Sequence, residues 1–269
     1  MDIQPSAQPL RVVLGEWQTE EAFHPSLTAP VTLIPALGLG DDELAPLLED
    51  ADVLLSRRFT AGMASRATRL RLILTPGAGT NEIDFNAVPE GAAVCNVYGH
   101  ESGIAEYVFM TMLALQRDLL HMDRRFRRGD WSDRARGPQR ELRGSTLGII
   151  GLGRIGSELA RRATVFGMRV VAATRSPDPA RREELGLAFL GGMNDLHAVL
   201  ADADFVVLCV RLQHDTIGLI GRAELQAMKP TAHLINVARG AVADEGALYE
   251  ALRERWIAGA AIDVWYRYP

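Results

Sequence analysis

Short apolar runs alternate with amphipathic or turn-rich stretches through the first hundred residues. The runs are Val12–Leu14, Val31–Ile34, Val53–Leu55, Leu70–Leu74 and Ala93–Asn96. Runs of this length, separated by segments long enough to cross back over a sheet, predict parallel strands joined by short helices. Asp41–Leu48 reads as one of those helices, with acidic residues at its start where the helix dipole favours them and Pro46 as a mark against it. The longest helical pattern follows: Ile104, Val108, Met112, Leu115, Leu119, Met122 and Phe126 recur at spacings of three and four. It predicts one stripe facing either a core or a partner. Eight arginines then fall between Arg124 and Arg143 among Gly129, Gly137 and Pro138, the composition of an exposed connector. Strand candidates resume at Leu147–Ile150, Arg169–Ala172, Phe205–Val210, His233–Asn236 and Ala260–Val264, most of them separated by helical stretches. A second parallel sheet is expected there.

Composition narrows the function. With 269 residues, 48% of them hydrophobic, the chain is long enough for two domains with cores of their own. A net charge of -5 gives no field that would draw nucleic acid or an anionic membrane, so a small-molecule partner is favoured. Cys95 and Cys209 each sit in an apolar run, with no CxxC or His-rich metal spacing nearby. Both are expected to be buried thiols in a reducing cytoplasm, and no metal site is expected. Met1–Leu14 has no basic start followed by an apolar core, and no stretch approaches the length that spans a bilayer. The expectation is a soluble, cytoplasmic protein.

One motif carries specific chemistry. Gly151-Leu152-Gly153-Arg154-Ile155-Gly156 comes directly after an apolar strand and directly before an amphipathic helix. In a GxGxxG turn of this kind the first glycine permits the sharp bend and the second lets backbone approach a pyrophosphate. The third allows helix and strand to pack closely, and the helix start presents amides to the anion. This predicts a Rossmann dinucleotide site. The following strand should end in a carboxylate if the adenosine ribose carries a free 2′-hydroxyl, but Thr174-Arg175-Ser176 holds that place. A guanidinium and two hydroxyls suit a 2′-phosphate, so NADP is preferred over NAD as cofactor. The alternative is that Arg175 stacks on the adenine of NAD.

Several blocks, in order, resemble the D-isomer-specific 2-hydroxyacid dehydrogenase family, in its glyoxylate/hydroxypyruvate reductase-like branch. They are Glu141 to Gly151, Met228 to Leu248 (MKPTAHLINVARGAVADEGAL) and Ile257 to Val264 (IAGAAIDV), with Thr75 to Asp84 (TPGAGTNEID) in the first half. The resemblance covers nearly the whole chain. It implies an α/β fold of two Rossmann-like or flavodoxin-like doubly wound parallel-sheet domains. Residues 1–99 would form the N-terminal part of the substrate domain and 100–269 the NAD(P)-binding Rossmann domain with its connecting helix. A homodimer built largely on the cofactor domain is also implied. By position, Gly77, Ala78 and Gly79 match the loop whose amides hold the substrate carboxylate, and successive amides in such a turn can form an anion-binding concavity. Arg239 matches the arginine that grips that carboxylate and polarises the carbonyl. Cofactor contacts are implied at Gly151, Gly153, Arg154, Ile155, Gly156, Thr174, Arg175, Ser176, Cys209, Val210, Val237, Ala238 and Asp263.

The chain departs from the family in two places. Val210-Arg211-Leu212-Gln213 stands where the family has a proline and a threonine. Tyr268 stands at the place of the glutamate that pairs with the catalytic histidine, and the family places that histidine beyond Pro269; a missing C-terminal segment is the expectation, and loss of the usual acid the alternative. His100 is a conceivable but weakly supported substitute acid. The expected function is hydride transfer between NAD(P)H and a small 2-oxo or 2-hydroxy acid. The alternative is a catalytically weak nucleotide-sensing interaction protein on the same fold, which Tyr268 favours and Arg239 opposes. A nucleic-acid patch at Arg124–Arg143 is a third reading, weakened by the acidic residues interleaved there.

Overall fold

The computed structural model describes residues 8–15, 29–131 and 141–267. The chain falls into two compact units, Met1–Gly99 and His100–Pro269.

In the first unit β1 (Leu10–Leu14), β2 (Val31–Pro35), β3 (Val53–Leu55), β5 (Leu72–Thr75) and β7 (Ala93–Asn96) form a five-stranded parallel sheet in the order β2-β1-β3-β5-β7. This is the flavodoxin-like succession, in which the order reverses beside β1. A small parallel pair, β4 (Arg58–Phe59) and β6 (Glu82–Ile83), lies apart from it. Helix α1 (Asp41–Leu47) starts where Glu43 accepts from the Gly40 amide at 2.9 Å, and it ends one residue beyond Pro46. Thr60 caps α2 (Ala61–Ala64) and donates to Asp41 at 2.7 Å. Val13, Leu44, Leu54, Phe59, Met63 and Ile73 are among the buried residues of this core. Cys95 is exposed, contrary to the expectation of a buried thiol: Val94 of β7 packs on the core, while Ala93 and Cys95 lie on the strand's other face and are exposed.

The second unit opens with α3 (Glu101–Gln116) and α4 (Leu119–Arg127). The single stripe expected from Ile104 to Phe126 is broken, because Asp118 takes a left-handed backbone (φ 48°) that ends one helix and redirects the next. Val108 and Met112 are fully buried, whereas Leu119 and Phe126 are each 55% exposed. The expected connector is shorter than its arginines suggested. Arg124–Arg127 belong to α4, where Arg127 pairs with Asp123 one turn back, and residues 132–140 lie outside the described residues.

Six parallel strands follow: β8 (Thr146–Ile150), β9 (Arg169–Ala173), β10 (Phe189–Gly191), β11 (Phe205–Leu208), β12 (His233–Asn236) and β13 (Gly259–Ile262). Their order, β10-β9-β8-β11-β12-β13, is that of the dinucleotide-binding fold, with its switch point between β8 and β11. The intervening helices are α5 (Arg154–Val165), α6 (Pro179–Glu184), α7 (Leu196–Asp202), α8 (Arg222–Ala227) and α9 (Glu245–Arg253). Strands buried on both faces read as continuous apolar runs, and alternate side chains serve opposite cores. Leu147, Ile149, Phe205 and Val207 pack with residues of α3 and α5 on one face. Ile150, Val206, Leu208 and Leu234 pack with α7, α8 and α9 on the other.

Candidate functional site

The cofactor-binding candidates of the second unit converge at one edge of its sheet, because each follows the carboxyl end of a strand. Gly151–Gly156 follow β8, Thr174–Ser176 follow β9, Cys209 and Val210 follow β11, Val237 and Ala238 follow β12, and Asp263 follows β13. In an open parallel sheet ligands bind in the crevice outside these ends, at the switch point.

Local packing explains each glycine of the turn. Gly151 has φ +100°, its amide donates to Ala173 at 2.8 Å, and a side chain there would strike the backbone of Cys209 and Val210. Gly156 lies so close under the Gly151 carbonyl that no side chain fits, whereas a methyl at Gly153 would enter open space. Two glycines therefore close the turn, and the third leaves room for a group outside it. Helix α5 begins at Arg154, with Gly153 as its N-cap, so first-turn amides at Ile155 and Gly156 have no carbonyl within the helix to accept them. Open space over an amide-bearing helix start fits a pyrophosphate.

At the adenosine end, Thr174 is half-buried and Arg175 and Ser176 are exposed. The carboxylate lacking from this stretch comes from elsewhere: Arg175 Nη2 donates to Asp215 Oδ2 at 2.8 Å and to Gln213 Oε1 at 2.6 Å. Cys209, expected to be buried, is half-buried, and desolvation pushes its thiol up to about 12. Arg211 is exposed, and among the described residues no contact places it toward the turn.

Arg239 projects from a fixed turn. Buried Asn236 accepts from the Ala238 amide at 3.0 Å and donates to the Arg239 carbonyl at 2.9 Å. The Arg239 side chain donates to the Ala238 carbonyl at 2.7 Å and makes no ion pair among the described residues. A half-buried guanidinium without a counter-charge is suited to an anionic ligand. The Asp263 amide bonds the Asn236 carbonyl at 3.0 Å, which ties the ends of β12 and β13 together. Withdrawal from water raises the Asp263 carboxyl above the usual carboxylate value. Tyr107 on α3 is raised by burial and by the Asp263 charge. Asn236, Asp215 and Tyr107 were not singled out from the sequence. Asn236 lies inside the block that carries Arg239, but Asp215 and Tyr107 join the site only through the fold.

In the first unit the Gly77–Gly79 loop follows β5. The Gly77 carbonyl accepts from Thr75 at 3.1 Å and from the Val97 amide at 3.2 Å, and the Ala78 carbonyl accepts from Asn96 at 2.9 Å. No peptide here is cis, so each amide points opposite the carbonyl of its own peptide. The amides of Ala78 and Gly79 are thereby turned away from those anchors. His100 is exposed at the start of α3, with no side-chain cap bond. Tyr268 lies outside the described residues. Among the described residues no helix is long and apolar enough to cross a membrane, and no group of three or more His, Cys, Asp or Glu could hold a metal.

Residues 109–269 match the family model described as D-isomer specific 2-hydroxyacid dehydrogenase, NAD binding domain. Residues 20–173 match that described as D-isomer specific 2-hydroxyacid dehydrogenase, catalytic domain. The chain is 39% identical over 233 residues to a glyoxylate reductase of Thermococcus gammatolerans, covering 82% of this chain and 69% of that protein. It is 38% identical over 239 residues to a D-3-phosphoglycerate dehydrogenase of Methanocaldococcus jannaschii, covering 87% of this chain and 45% of the relative, so it spans about half of that protein's length. Among solved structures, a D-lactate dehydrogenase from Aquifex aeolicus complexed with NAD and lactic acid superposes with a TM-score of 0.81 at 27% identity, covering 95% of this chain and 77% of the other.

Proposed function

The chain belongs to the D-isomer-specific 2-hydroxyacid dehydrogenase family of oxidoreductases, and from that premise we propose that it moves a hydride between a nicotinamide dinucleotide and a small 2-oxo or 2-hydroxy acid. The single observation that carries this reading is Arg239: a half-buried cation with no ion-pair partner among the described residues, held by Asn236 on the sheet edge where the glycine turn opens. When bound, the cofactor supplies the hydride. Arg239 supplies a permanent positive charge for the substrate carboxylate and for the charge that develops on the carbonyl oxygen. Ala78 and Gly79 would offer their amides to a carboxylate, the part their loop has in the family resemblance. The glycine turn holds the pyrophosphate, and Val237, Ala238, Cys209 and Val210 line the strand ends beside it.

At the adenosine end we assign Thr174, Arg175 and Ser176 to a 2′-phosphate, hence a preference for NADP over NAD. The unit His100–Pro269 exposes Met110, Leu113, Phe126, Trp131, Val165 and Phe166. Exposed apolar surface of this extent supports a homodimer on this unit. The test of the activity is NADPH oxidation with glyoxylate, hydroxypyruvate and pyruvate, with the product identified as the matching 2-hydroxy acid. Turnover that Arg239→Gln removes supports the reading. Tight NADPH binding with no turnover on any 2-oxo acid tried would turn it toward a nucleotide-sensing protein.

A further inference from the structure

We infer that Asp215 is a specificity-determining residue of the adenosine end, set against Arg175 so that it tempers the preference for a 2′-phosphate. The inference rests on the reading that this sheet edge takes a nicotinamide dinucleotide, and it concerns which of the two cofactors is favoured and by how much.

Arg175 and Asp215 stand forty residues apart in sequence and meet because β9 and β11 flank β8, so that the loops after both open on the same edge. The guanidinium makes its contacts through one nitrogen, to Asp215 Oδ2 at 2.8 Å, Asp215 Oδ1 at 3.2 Å and Gln213 Oε1 at 2.6 Å. Asp215 is presented by a fixed turn. Thr216 is buried, accepts from the Gln213 amide at 2.8 Å and donates to the Arg211 carbonyl at 2.7 Å. The acid is therefore anchored at its base, while both charged side chains remain about 60% exposed (61% and 62%).

A phosphate reaching Arg175 has to displace Asp215 or share the guanidinium with it, and it then lies within a few ångströms of a carboxylate of its own sign. Both effects weaken NADPH. A free ribose hydroxyl meets no such repulsion, and Asp215 can accept a hydrogen bond from it. Attraction by Arg175 and repulsion by Asp215 therefore act on the same group, and specificity is the difference between them. Because the site is exposed, added salt screens both.

The test is calorimetric titration of the full chain with NADPH, NADH and adenosine 2′-monophosphate, at low and high salt, using Asp215→Asn, Arg175→Gln and the double variant. The expected result is that Asp215→Asn tightens NADPH and adenosine 2′-monophosphate by roughly tenfold at low salt, with less gain at high salt, and shifts NADH by no more than about twofold. The gain is expected to vanish in the double variant, and Asp215→Glu is expected to restore the original ratio. Thermal midpoints equal to the parent's establish that each variant is folded. NADPH binding that Asp215→Asn leaves unchanged, or tightening of both dinucleotides alike, overturns the inference while leaving the cofactor reading intact. If the unaltered chain binds neither dinucleotide, the cofactor reading fails and the inference fails with it.

Discussion

A methyl group added at Gly156 would lie 2.2 Å from the Gly151 carbonyl oxygen, whereas one added at Gly153 meets nothing within 4 Å. The two glycines of one motif are therefore retained for different reasons, and alanine separates them. Gly156→Ala forces the helix off the strand and is expected to lower stability by about 2 kcal/mol in urea unfolding. Gly153→Ala costs less than about 1 kcal/mol, the usual loss at an N-cap, and acts on nucleotide binding instead. At Arg239 the relevant property is a planar, permanent charge. Arg239→Gln is expected to lower kcat/KM for a 2-oxo acid by about 10²–10³-fold. Arg239→Lys restores little of it, because an ammonium lacks the two-pronged geometry. Full activity in the glutamine variant, with circular dichroism unchanged, would remove Arg239 from the chemistry.

At the level of elements, the turn after β12 depends on Asn236, whose amide satisfies a buried N–H and a carbonyl at once. Asn236→Ala leaves both groups without their partner, at an expected cost of about 2 kcal/mol, and frees the backbone that carries Arg239. The check is a fall in unfolding free energy accompanied by a higher KM. The same strand begins at His233, stacked on Phe205 with ring centroids 5.5 Å apart, and burial holds its pKa below the ordinary histidine value. The unfolded chain then takes up this proton at a higher pH than the folded one. The stability contributed by neutral His233 is complete above the free-histidine pKa of about 6.5 and is lost as pH falls from there through the lower folded value. His233→Gln is expected to flatten the fall of Tm with pH in that window. An unchanged slope would place its origin elsewhere.

Across the whole molecule, the features legible in the sequence were those whose cause is local. β8 and β11 could be read because strands covered on both faces are unbroken apolar runs, and the glycine turn because strand, bend and helix follow one another without a gap. The expected strand Phe205–Val210 ends instead at Leu208, where the chain passes under Gly151, a crowding that only the neighbouring strand reveals. The helix break at Asp118 was hidden because apolar spacing continues across it although the backbone does not. An apolar run likewise does not say which face of a strand is covered, and so it misplaced Cys95. The pairing of Arg175 with Asp215 required the sheet order. The apolar residues left exposed on the second unit lead to a further expectation, a dimer in sedimentation velocity. Val165 is 87% exposed, so Val165→Asp is expected to yield a monomer whose circular dichroism matches the parent's. A monomeric parent would refute the homodimer.

In the proposed complex a nicotinamide dinucleotide lies across the carboxyl ends of β8, β9, β11, β12 and β13, with its pyrophosphate over Gly153. The most direct measurement is a titration of NADPH and NADH against the parent chain and Gly153→Ala, with thermal unfolding of both run alongside. The expected result is that the parent binds, that Gly153→Ala weakens binding of both nucleotides at least about tenfold by crowding the pyrophosphate, and that the two chains unfold at nearly the same temperature. A parent that binds neither nucleotide, or a Gly153→Ala chain that binds both as tightly as the parent, would contradict it.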